Sequence, residues 1–419
     1  MNSRLPLQQS LFLAATGVVG VHVVDDNYLQ PAAGTNAADH LASGLVPLAL
    51  LGVAAWCYPR VRAGAQAVIA IAIGLFGLVV GALEAGFHTT EVGPSGDDFT
   101  GLLAIPAGLV LVGIGVVGLW TSRRRTPHRW WRYLRRLLLG VAAALAINEL
   151  ALPIAVAYMA THSLPAVVNA PHLGAATTDV TLRTSDGLSL AGWYVPSRNG
   201  AAVIVFPGRA GTQGQARLLV EHGYGVLLVD RRGEGASDGD GNLFGWGGER
   251  DIYAALDYLE QRPDVDPGRI GGIGLSVGGE LMLQAAARDD RLAAVVSDGA
   301  GTRSLAEELE EYDGMELAVA LPLITVKTAA VAVFGNATPP PKLTDLVPQI
   351  APRPAFFIWA SKLSAVERMN PTYHRLAGPN SSIWELRDAQ HVRGLATHPE
   401  QYEQRVVGFF DSTLLDGRD

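Results

Sequence analysis

The sequence has little cysteine and little charge. Its 419 residues include a single cysteine, Cys57, which falls in an apolar run. One cysteine excludes a disulfide framework and a thiolate metal site within the chain. Charged residues make up only 17% of the chain against 49% hydrophobic residues, a balance that is too apolar for an ordinary soluble enzyme. The formal net charge of −8 argues against a nucleic-acid-binding protein.

The apolar residues are concentrated in five segments of the first 160 residues. These segments are about 11–24, 41–58, 65–87, 102–120 and 137–159. The last three are long enough for the roughly 20 helical residues that a bilayer crossing takes, and the first two are shorter. A cleaved signal peptide is the rival interpretation of the first segment, but no clean small-residue cleavage site follows it. We therefore predict an α-helical membrane domain of about five transmembrane helices over residues 1–165.

The loops between these segments alternate in charge. Arginines lie before the first segment, between the second and third, and densely over 123–136, whereas the other loops carry aspartate and glutamate. Basic loops stay in the cytoplasm, so five crossings place the residues after about His162 on the extracytoplasmic side of a plasma membrane. A nucleic-acid patch is the rival interpretation of the arginines, but Trp130, Trp131 and Tyr133 beside them favour an anchor on anionic lipid. The lipid bilayer, and no nucleic acid, is the predicted partner.

Ionisable residues gather near the predicted outer ends of these segments. They are His22, Asp25, Asp26, His40, Glu84 and His88. Glu84 and His88 are four residues apart and so share one helix face. We predict that these residues form an interfacial hydrogen-bonded cap on the helices, which supports the outer domain. We predict no bound metal or cofactor. The alternative is a transporter or metal-dependent membrane enzyme whose chemistry uses His22, Glu84 and His88.

From about residue 175 the sequence changes to short apolar runs. The runs are 179–183, 188–195, 202–206, 225–230, 269–273, 292–297, 355–359 and 383–386. The first two form a hairpin around the turn Asp186-Gly187, and most of the others are separated by helical segments. Strands that alternate with helices predict a doubly wound, mostly parallel sheet. We therefore predict an α/β domain over residues 175–419.

The stretch 274–278 reads Gly-Leu-Ser-Val-Gly, a G-x-S-x-G pentapeptide that lies between a predicted strand and a predicted helix. In this context the serine takes a tight turn, and the glycines two residues before and after it leave room for that turn. Ser276 then presents its hydroxyl at a helix N-terminus, where backbone N–H groups favour a developing negative charge. The pattern predicts that Ser276 is a nucleophile.

Three stretches resemble the α/β-hydrolase family. They are the pentapeptide 274–278, the turn Asp-Arg-Arg-Gly-Glu-Gly-Ala-Ser at 230–237, which is similar to the family's D-x-R-G-x-G-x-S segment, and Asp-Ala-Gln-His at 388–391. The resemblance covers residues of about 175–415. It implies acyl transfer through a serine–histidine–acid triad, usually the hydrolysis of an ester, thioester or amide.

The resemblance implies His391 as the base, because it follows the last predicted strand. The acid departs from the family pattern, since Leu363 stands at the usual position after the seventh predicted strand. The two substitutes are Asp298, directly after the sixth strand, and Glu367, four residues beyond Leu363. We favour Asp298 slightly, because it lies at the carboxyl end of a strand, where such sheets build their sites. Asp388, or no acid at all, remains open.

The oxyanion hole needs two backbone N–H groups. The resemblance implies Val277, the residue after the nucleophile, as one donor. The other is the amide of Arg209 in the loop 207–211, whose sequence Pro-Gly-Arg-Ala-Gly stands in place of the family's His-Gly-x pattern. The side chain of Arg209 either meets an anionic substrate or is solvated.

The segment 302–354 is too long for a plain connection. It contains an apolar run over 317–334 in which Lys327 is the one charged residue. In the family such an insertion makes a cap over the active site, and an apolar cap on a membrane-tethered domain indicates an acyl or lipid-like substrate. A sixth membrane crossing is the rival interpretation, and it would separate Ser276 from His391.

The sequence as a whole therefore predicts a membrane-anchored serine hydrolase with its catalytic domain on the extracytoplasmic face. Ser276 is the predicted nucleophile and His391 the base, with Asp298 or Glu367 as the orienting acid. The alternative is a catalytically silent hydrolase fold that serves as a binding or sensing module, which Leu363 at the usual acid position favours.

Overall fold

The computed structural model describes residues 7–31, 37–38, 40–87, 98–121, 130–131, 134–135, 138, 145, 147–163, 171–208, 212–310, 312–362 and 364–415. The chain divides into two compact units, Met1–Leu152 and Pro153–Asp419, called here the first and second unit. The domain limits predicted from sequence, 1–165 and 175–419, stay a prediction.

The first unit is helical. Its helices are α1 (Leu7–Val24), α2 (Leu41–Cys57), α3 (Ala63–Phe87) and α4 (Asp98–Thr121), and a π-helical turn at Asp25–Leu29 extends α1. By length and composition, four stretches in the described part of this unit are able to cross a membrane: Leu7–Leu29, Leu41–Arg60, Ala63–Ala82 and Phe99–Thr121. The chain is therefore a membrane-spanning protein, and four of the five predicted segments are long apolar helices.

Most of the first ten residues of the fifth predicted segment, 137–159, lie outside the described residues. Its last part belongs to α5 (Leu152–Thr161), all but the first residue of which is in the second unit. The fifth crossing, and with it the orientation of the chain in the membrane, stays a prediction.

Small residues let α3 and α4 approach closely. A Cβ built at Gly74 would lie 2.7 Å from the carbonyl oxygen of Gly108, and one built at Gly108 would lie 2.6 Å from that of Gly74. Close backbone contact of this kind holds helices together in lipid, where burying apolar side chains gains little. The large apolar side chains face outward instead, with Leu109 59% and Val117 61% exposed.

Two ionisable residues at the end of α1, His22 and Asp25, are hydrogen-bonded to Thr100 of α4. The Nδ1 atom of His22 lies 3.3 Å from Oγ1 of Thr100, which donates to Oδ2 of Asp25 at 2.7 Å. These contacts match the expected hydrogen-bonded cap. The side chain of Glu84 and the whole of His88 lie outside the described part of the chain, so the metal-site alternative is not tested.

The second unit contains one eight-stranded sheet of order β1-β2-β4-β3-β5-β6-β7-β8. Its strands are β1 (Thr178–Arg183), β2 (Ser189–Val195), β3 (Ala202–Phe206), β4 (Gly225–Val229), β5 (Ile270–Leu275), β6 (Ala294–Asp298), β7 (Ala355–Ala360) and β8 (Ser381–Leu386). Only the pairs β1–β2 and β2–β4 are antiparallel. The predicted fold class is confirmed, and each predicted run is a strand within about three residues of its expected ends.

Helices cover both faces of this sheet. They include α6 (Gln213–Glu221), α7 (Glu249–Leu259) and α8 (Val277–Arg288), followed by α9 (Leu305–Leu309), α10 (Gly314–Phe334), α11 (Leu343–Leu346), α12 (Asn370–Leu376), α13 (Gly394–Thr397) and α14 (Pro399–Phe410). Alternate residues of β3 serve the two faces: Ile204 packs with α7 and α8, and Val205 packs with α6 and α14. A parallel strand buried on both faces reads as the continuous apolar run seen in the sequence.

The turn 230–237 secures the sheet to α7. Arg232 donates to Oδ1 of Asp251 at 2.7 Å and to Oδ2 of Asp186 at 2.8 Å, while Ser237 donates to the carbonyl oxygen of Asp230 at 2.8 Å. Asp251 is fully buried, so removal of Arg232 would leave an unpaired buried charge, which costs about 3–5 kcal/mol. This segment resembles the family motif and acts in the structure as a brace for the fold.

The insertion between β6 and β7 holds α9, α10 and α11. α10 is as long and apolar as the membrane-spanning helices of the first unit. However, β6 and β7 pair in parallel within one sheet, with Val295 opposite Ala355, so both ends of the insertion return to the same sheet. The rival interpretation of a sixth crossing is wrong for this reason.

Candidate active site

Ser276 occupies a strained turn between β5 and α8. Its φ of 54° and ψ of −125° lie outside the regions that non-glycine residues favour, which costs of order 1–3 kcal/mol. A Cβ at Gly274 would lie 2.1 Å from the carbonyl oxygen of Gly278, and a Cβ at Gly278 would lie 2.6 Å from that of Phe206. The two glycines of the pentapeptide are therefore required for this turn, as the sequence pattern predicts.

The loop after β8 brings His391 to the serine. The Nε2 atom of His391 lies 2.8 Å from Oγ of Ser276, although the two residues are 115 positions apart in the chain. The next residue, Val392, has a φ of 48°, so the loop turns sharply beside the imidazole. The structure thus brings together the nucleophile and the base that the sequence predicts.

The carboxylate beside His391 is that of Glu367. Its Oε1 atom lies 2.5 Å from Nδ1 of His391, and its Oε2 atom accepts a hydrogen bond from the backbone N–H of Ala360 at 2.5 Å. The Glu367 side chain is fully buried. Asn370 donates to the carbonyl oxygens of Ala300 and Glu367, at 2.7 and 2.8 Å, and fixes the short 3₁₀ turn that carries the glutamate.

The preference for Asp298 as the hydrogen-bond partner of His391 is wrong. Asp298 does end β6 close to the site, but its Oδ2 atom accepts from the hydroxyl of Tyr402 at 2.8 Å. Burial, with a smaller contribution from the nearby Glu367 carboxylate, raises the pKa of Asp298 to about 7, although the hydrogen bond from Tyr402 lowers it. The backbone of Asp298 contacts the nucleophile, because its carbonyl oxygen accepts a hydrogen bond from the N–H of Ser276 at 2.8 Å.

Two other positions considered for the acid lie elsewhere. Asp388 accepts from Nε2 of His398 at 2.8 Å at an exposed position. Leu363 lies outside the described residues. Neither bears on the contact between Glu367 and His391.

Gly299 makes room for the hydrogen-bonded residues and was not singled out in the sequence. Its φ is 76°, and a Cβ there would lie 2.8 Å from Cγ1 of Val392 and 3.3 Å from Oε1 of Glu367. The signal available in the sequence was its position directly after a strand that ends at the active edge of the sheet.

The structure describes one of the two predicted oxyanion donors, Val277, and not the other, Arg209. Val277 is the first residue of α8, so its N–H has no acceptor within the helix. Gly208 lies against the serine, since a Cβ at Gly208 would be 2.9 Å from that of Ser276. The neighbouring Arg209 lies outside the described residues, and its role as the second donor stays a prediction.

A cavity of about 550 Å³ opens at Ser276. Its apolar lining includes Leu243, Phe244, Trp246, Val331, Val366 and Val392. Charged residues line it as well, among them Glu280, Arg303, Glu308, Lys327 and Arg368. Residues of the cap insertion and of the sheet edge thus share one pocket with the serine and the histidine.

Four charged residues of this pocket, Glu280, Arg303, Glu308 and Lys327, bind other side chains or the backbone. Lys327 on α10 lies 2.5 Å from Oε1 of Glu308. Arg303 is buried and donates to Oε1 of Gln284 at 2.6 Å, and Oε1 of Glu280 accepts from the N–H of Gly301 at 3.0 Å. Burial lowers the pKa of Arg303. Sequence reasoning did not find this network, because its members come from three separate segments.

Several curated proteins are similar to a part of this chain. A polyketide transferase, grgF, from Penicillium sp is 37% identical over 128 residues, which cover 29% of this chain and 44% of that protein. The uncharacterized protein Rv2307c of Mycobacterium tuberculosis (strain ATCC 25618 / H37Rv) is 40% identical over 112 residues, 25% of this chain and 39% of that protein. The chain therefore spans less than half the length of these curated relatives.

Among solved structures, the esterase Pf2001 of Pyrococcus furiosus matches with a TM-score of 0.48 and 21% identity, over 60% of this chain and 97% of the esterase. Residues 126–394, more than half of the chain, match the family model described as X-Pro dipeptidyl-peptidase (S15 family). This match shows that the chain belongs to the S15 family.

Proposed function

We propose that Ser276, His391 and Glu367 form the catalytic triad of a membrane-anchored hydrolase that cleaves an ester, thioester or amide bond. The observation that carries this proposal is the continuous series of contacts from Oγ of Ser276 to Nε2 of His391, at 2.8 Å, and from Nδ1 of His391 to Glu367, at 2.5 Å. These are the contacts that an activated serine needs.

The proposed reaction has two acyl-transfer steps. Oγ of Ser276 attacks the carbonyl carbon of the substrate while Nε2 of His391 takes the hydroxyl proton, and the same proton then passes to the leaving group. A water molecule attacks the acyl-serine in the second step, with His391 again taking and returning a proton. Glu367 holds the imidazole in place, and its carboxylate stabilises the imidazolium.

The negative charge that develops on the carbonyl oxygen is stabilised by backbone amides. The amide of Val277 lies at the N-terminus of α8, where the positive end of the helix dipole favours an anion. The amide of Arg209 is the proposed second donor. Loss of one such donor costs about 10²–10³ in kcat in a hydrolase of this kind.

The substrate that we propose is an acyl or lipid-like compound. The apolar wall formed by Phe244, Trp246 and Val331 supports an apolar acyl group, and the volume of about 550 Å³ is in the range of small-molecule sites. The family description names X-Pro peptides, so a peptide amide belongs in the same test.

We also propose that the second unit lies on the extracytoplasmic face. The alternation of basic and acidic loops supports this orientation. In a Cys57→Ala background, a membrane-impermeant maleimide is expected to label Ala396→Cys in intact cells, because Ala396 is exposed on the second unit. Labelling only after permeabilisation would place the second unit in the cytoplasm.

A fluorophosphonate probe tests the proposed nucleophile. The purified full-length chain should be labelled, and Ser276→Ala should not, with circular dichroism showing that both are folded. A separate sample of unlabelled wild-type enzyme is then assayed with short-chain and long-chain p-nitrophenyl esters, an acyl thioester and an X-Pro p-nitroanilide, with Ser276→Ala as the control. A folded wild-type protein that takes no label would instead favour the silent binding or sensing module.

A further inference from the structure

The exposed side of α10 carries no charge over most of its length. From Ala318 to Val333 the exposed residues are Ala318, Val319, Leu321, Pro322, Thr325, Ala329 and Val333, which we call the outer face of α10. A helix on the surface of a water-soluble domain normally has charged and polar residues on its solvent side. Here the one polar side-chain group among these seven residues is the hydroxyl of Thr325.

The opposite side of α10 faces the active-site cavity. Ile324, Thr328 and Val331 are buried, and Thr328 and Val331 line the cavity together with Ser276. Lys327 points to the same side, where it pairs with Glu308. The helix therefore forms a wall with the catalytic cavity on one side and an uncharged face on the other.

The course of the chain keeps α10 from crossing a bilayer. Since β6 and β7 are hydrogen-bonded neighbours in one sheet, the chain before the insertion and the chain after it lie on the same side of any bilayer. A helix that is apolar enough to span a bilayer, but is kept from crossing it, can still lie in the membrane interface, parallel to the membrane surface.

A second helix packs on α10 and connects it with the membrane-spanning part of the sequence. Ala157 of α5 packs against Ala330 and Val331, and the rings of Tyr158 and Phe334 meet edge to face at 5.4 Å. α5 begins at Leu152, where the first unit ends, and it also exposes apolar side chains. These exposed side chains are Ile154, Val156 and Met159.

From these observations we propose that the outer face of α10 docks on the lipid bilayer. We propose also that the active-site cavity is reached from the lipid at α10. The bilayer is the occupant that fits, because the protein spans a membrane and α10 packs on the helix that directly follows the spanning unit. Resting on the proposed hydrolase function, this docking means that substrate enters from the acyl-chain region of the bilayer.

The docking is tested on the full-length protein in lipid nanodiscs, independently of catalysis. In a Cys57→Ala background, single cysteines replace Ala329 on the outer face or Ala396, an exposed alanine on α13, as the matched control. Each is labelled with the fluorophore NBD. The probe at 329 should be quenched several-fold by lipids with doxyl groups on their chains and protected from dithionite, whereas the probe at 396 should be reduced rapidly and left unquenched.

Two results would overturn the proposal. Rapid reduction of the probe at 329 without quenching would place the outer face in water. Protection from dithionite without quenching by the labelled lipids would show that protein, for example a second copy of the chain, covers it instead.

An activity measurement extends the test to substrate entry. Ala329→Asp should lower turnover of a bilayer-embedded long-chain ester several-fold relative to a water-soluble short-chain ester, and Ala396→Asp should leave that ratio unchanged. An equal ratio in both variants would contradict entry through lipid. If the wild type cleaves neither ester, the hydrolase function is at fault, and the fluorescence result still decides the docking.

Discussion

Glycine brings backbone against backbone in both units, but with different consequences. In the first unit Gly74 and Gly108 let α3 and α4 touch, and the contact itself holds the helices together. In the second unit Gly274 and Gly278 clear space for a serine in a strained conformation. The stability of the first unit depends on the small volume of its interface residues, whereas the activity of the second unit depends on single polar atoms at the active site. Substitutions in the first unit should therefore lower stability, and substitutions at the active site should lower turnover.

The largest effect is expected at the strained serine. Ser276→Ala should lower kcat on the order of 10⁴–10⁶-fold, because the nucleophile is lost, while the melting temperature changes little, since only one hydroxyl is removed. The measurement is ester turnover beside a thermal melt. A variant that kept substantial turnover would show that another group attacks the substrate.

The next largest effect distinguishes the roles of the two carboxylates, Glu367 and Asp298. Glu367→Gln should lower kcat by about 10⁴, since an amide at Nδ1 of His391 no longer stabilises the imidazolium. Asp298→Asn is the matched control and should cost less than about tenfold, because the Tyr402 hydroxyl can still donate to an amide oxygen. The reverse order of the two losses would restore Asp298 as the acid.

A pH-dependent effect is expected at Asp298. Burial raises its pKa in the folded protein to about 7, above the unfolded value near 3.9, so the folded state holds the proton more tightly. Stability linked to this group is fully present below about pH 4 and is lost as the pH rises through 7.

An amide at this position does not titrate, so Asp298→Asn should gain stability relative to wild type between pH 4 and 8, by at most about 4 kcal/mol. The melting temperatures of the two proteins across this pH range give the measurement. The difference between them isolates this residue, because Asp230, whose pKa is also raised by burial, titrates in both. A difference that is constant with pH would contradict the raised pKa.

The smallest effect concerns volume in the first unit. Gly108→Val should destabilise this unit by about 1–3 kcal/mol, because the added side chain meets the backbone of Gly74. Gly113→Val on the same helix is the control, since no described atom lies within 4 Å of a Cβ there. Fluorophosphonate labelling of Ser276 should persist in both variants, and loss of labelling in Gly108→Val alone would show that the two units are coupled.

Much of the second unit could be predicted because its signals are local. Each strand is a short apolar run, and the pentapeptide around Ser276 carries its own steric requirement for glycine. His391 was found from its position after the last strand. These features depend on residues that are neighbours in the chain.

The choice of acid could not be made in the same way. Asp298 and Glu367 both reach the edge of the sheet that carries the active site, and the Glu367 carboxylate is close enough to raise the pKa of Asp298. The direction of each side chain is set by remote groups, the Tyr402 hydroxyl for one and the Ala360 N–H for the other. The network around Arg303 was missed for the same reason.

By itself the sequence determined the elements of this protein: the apolar helices, the alternating strands, and the tight turn that exposes Ser276. These follow from hydrophobic periodicity and from the space around glycine, which act over a few residues. Only the tertiary structure decided that Glu367 rather than Asp298 contacts His391, and that α10 cannot cross a membrane. Both depend on the pairing of β6 with β7 and on hydrogen bonds between distant segments, which no local pattern encodes.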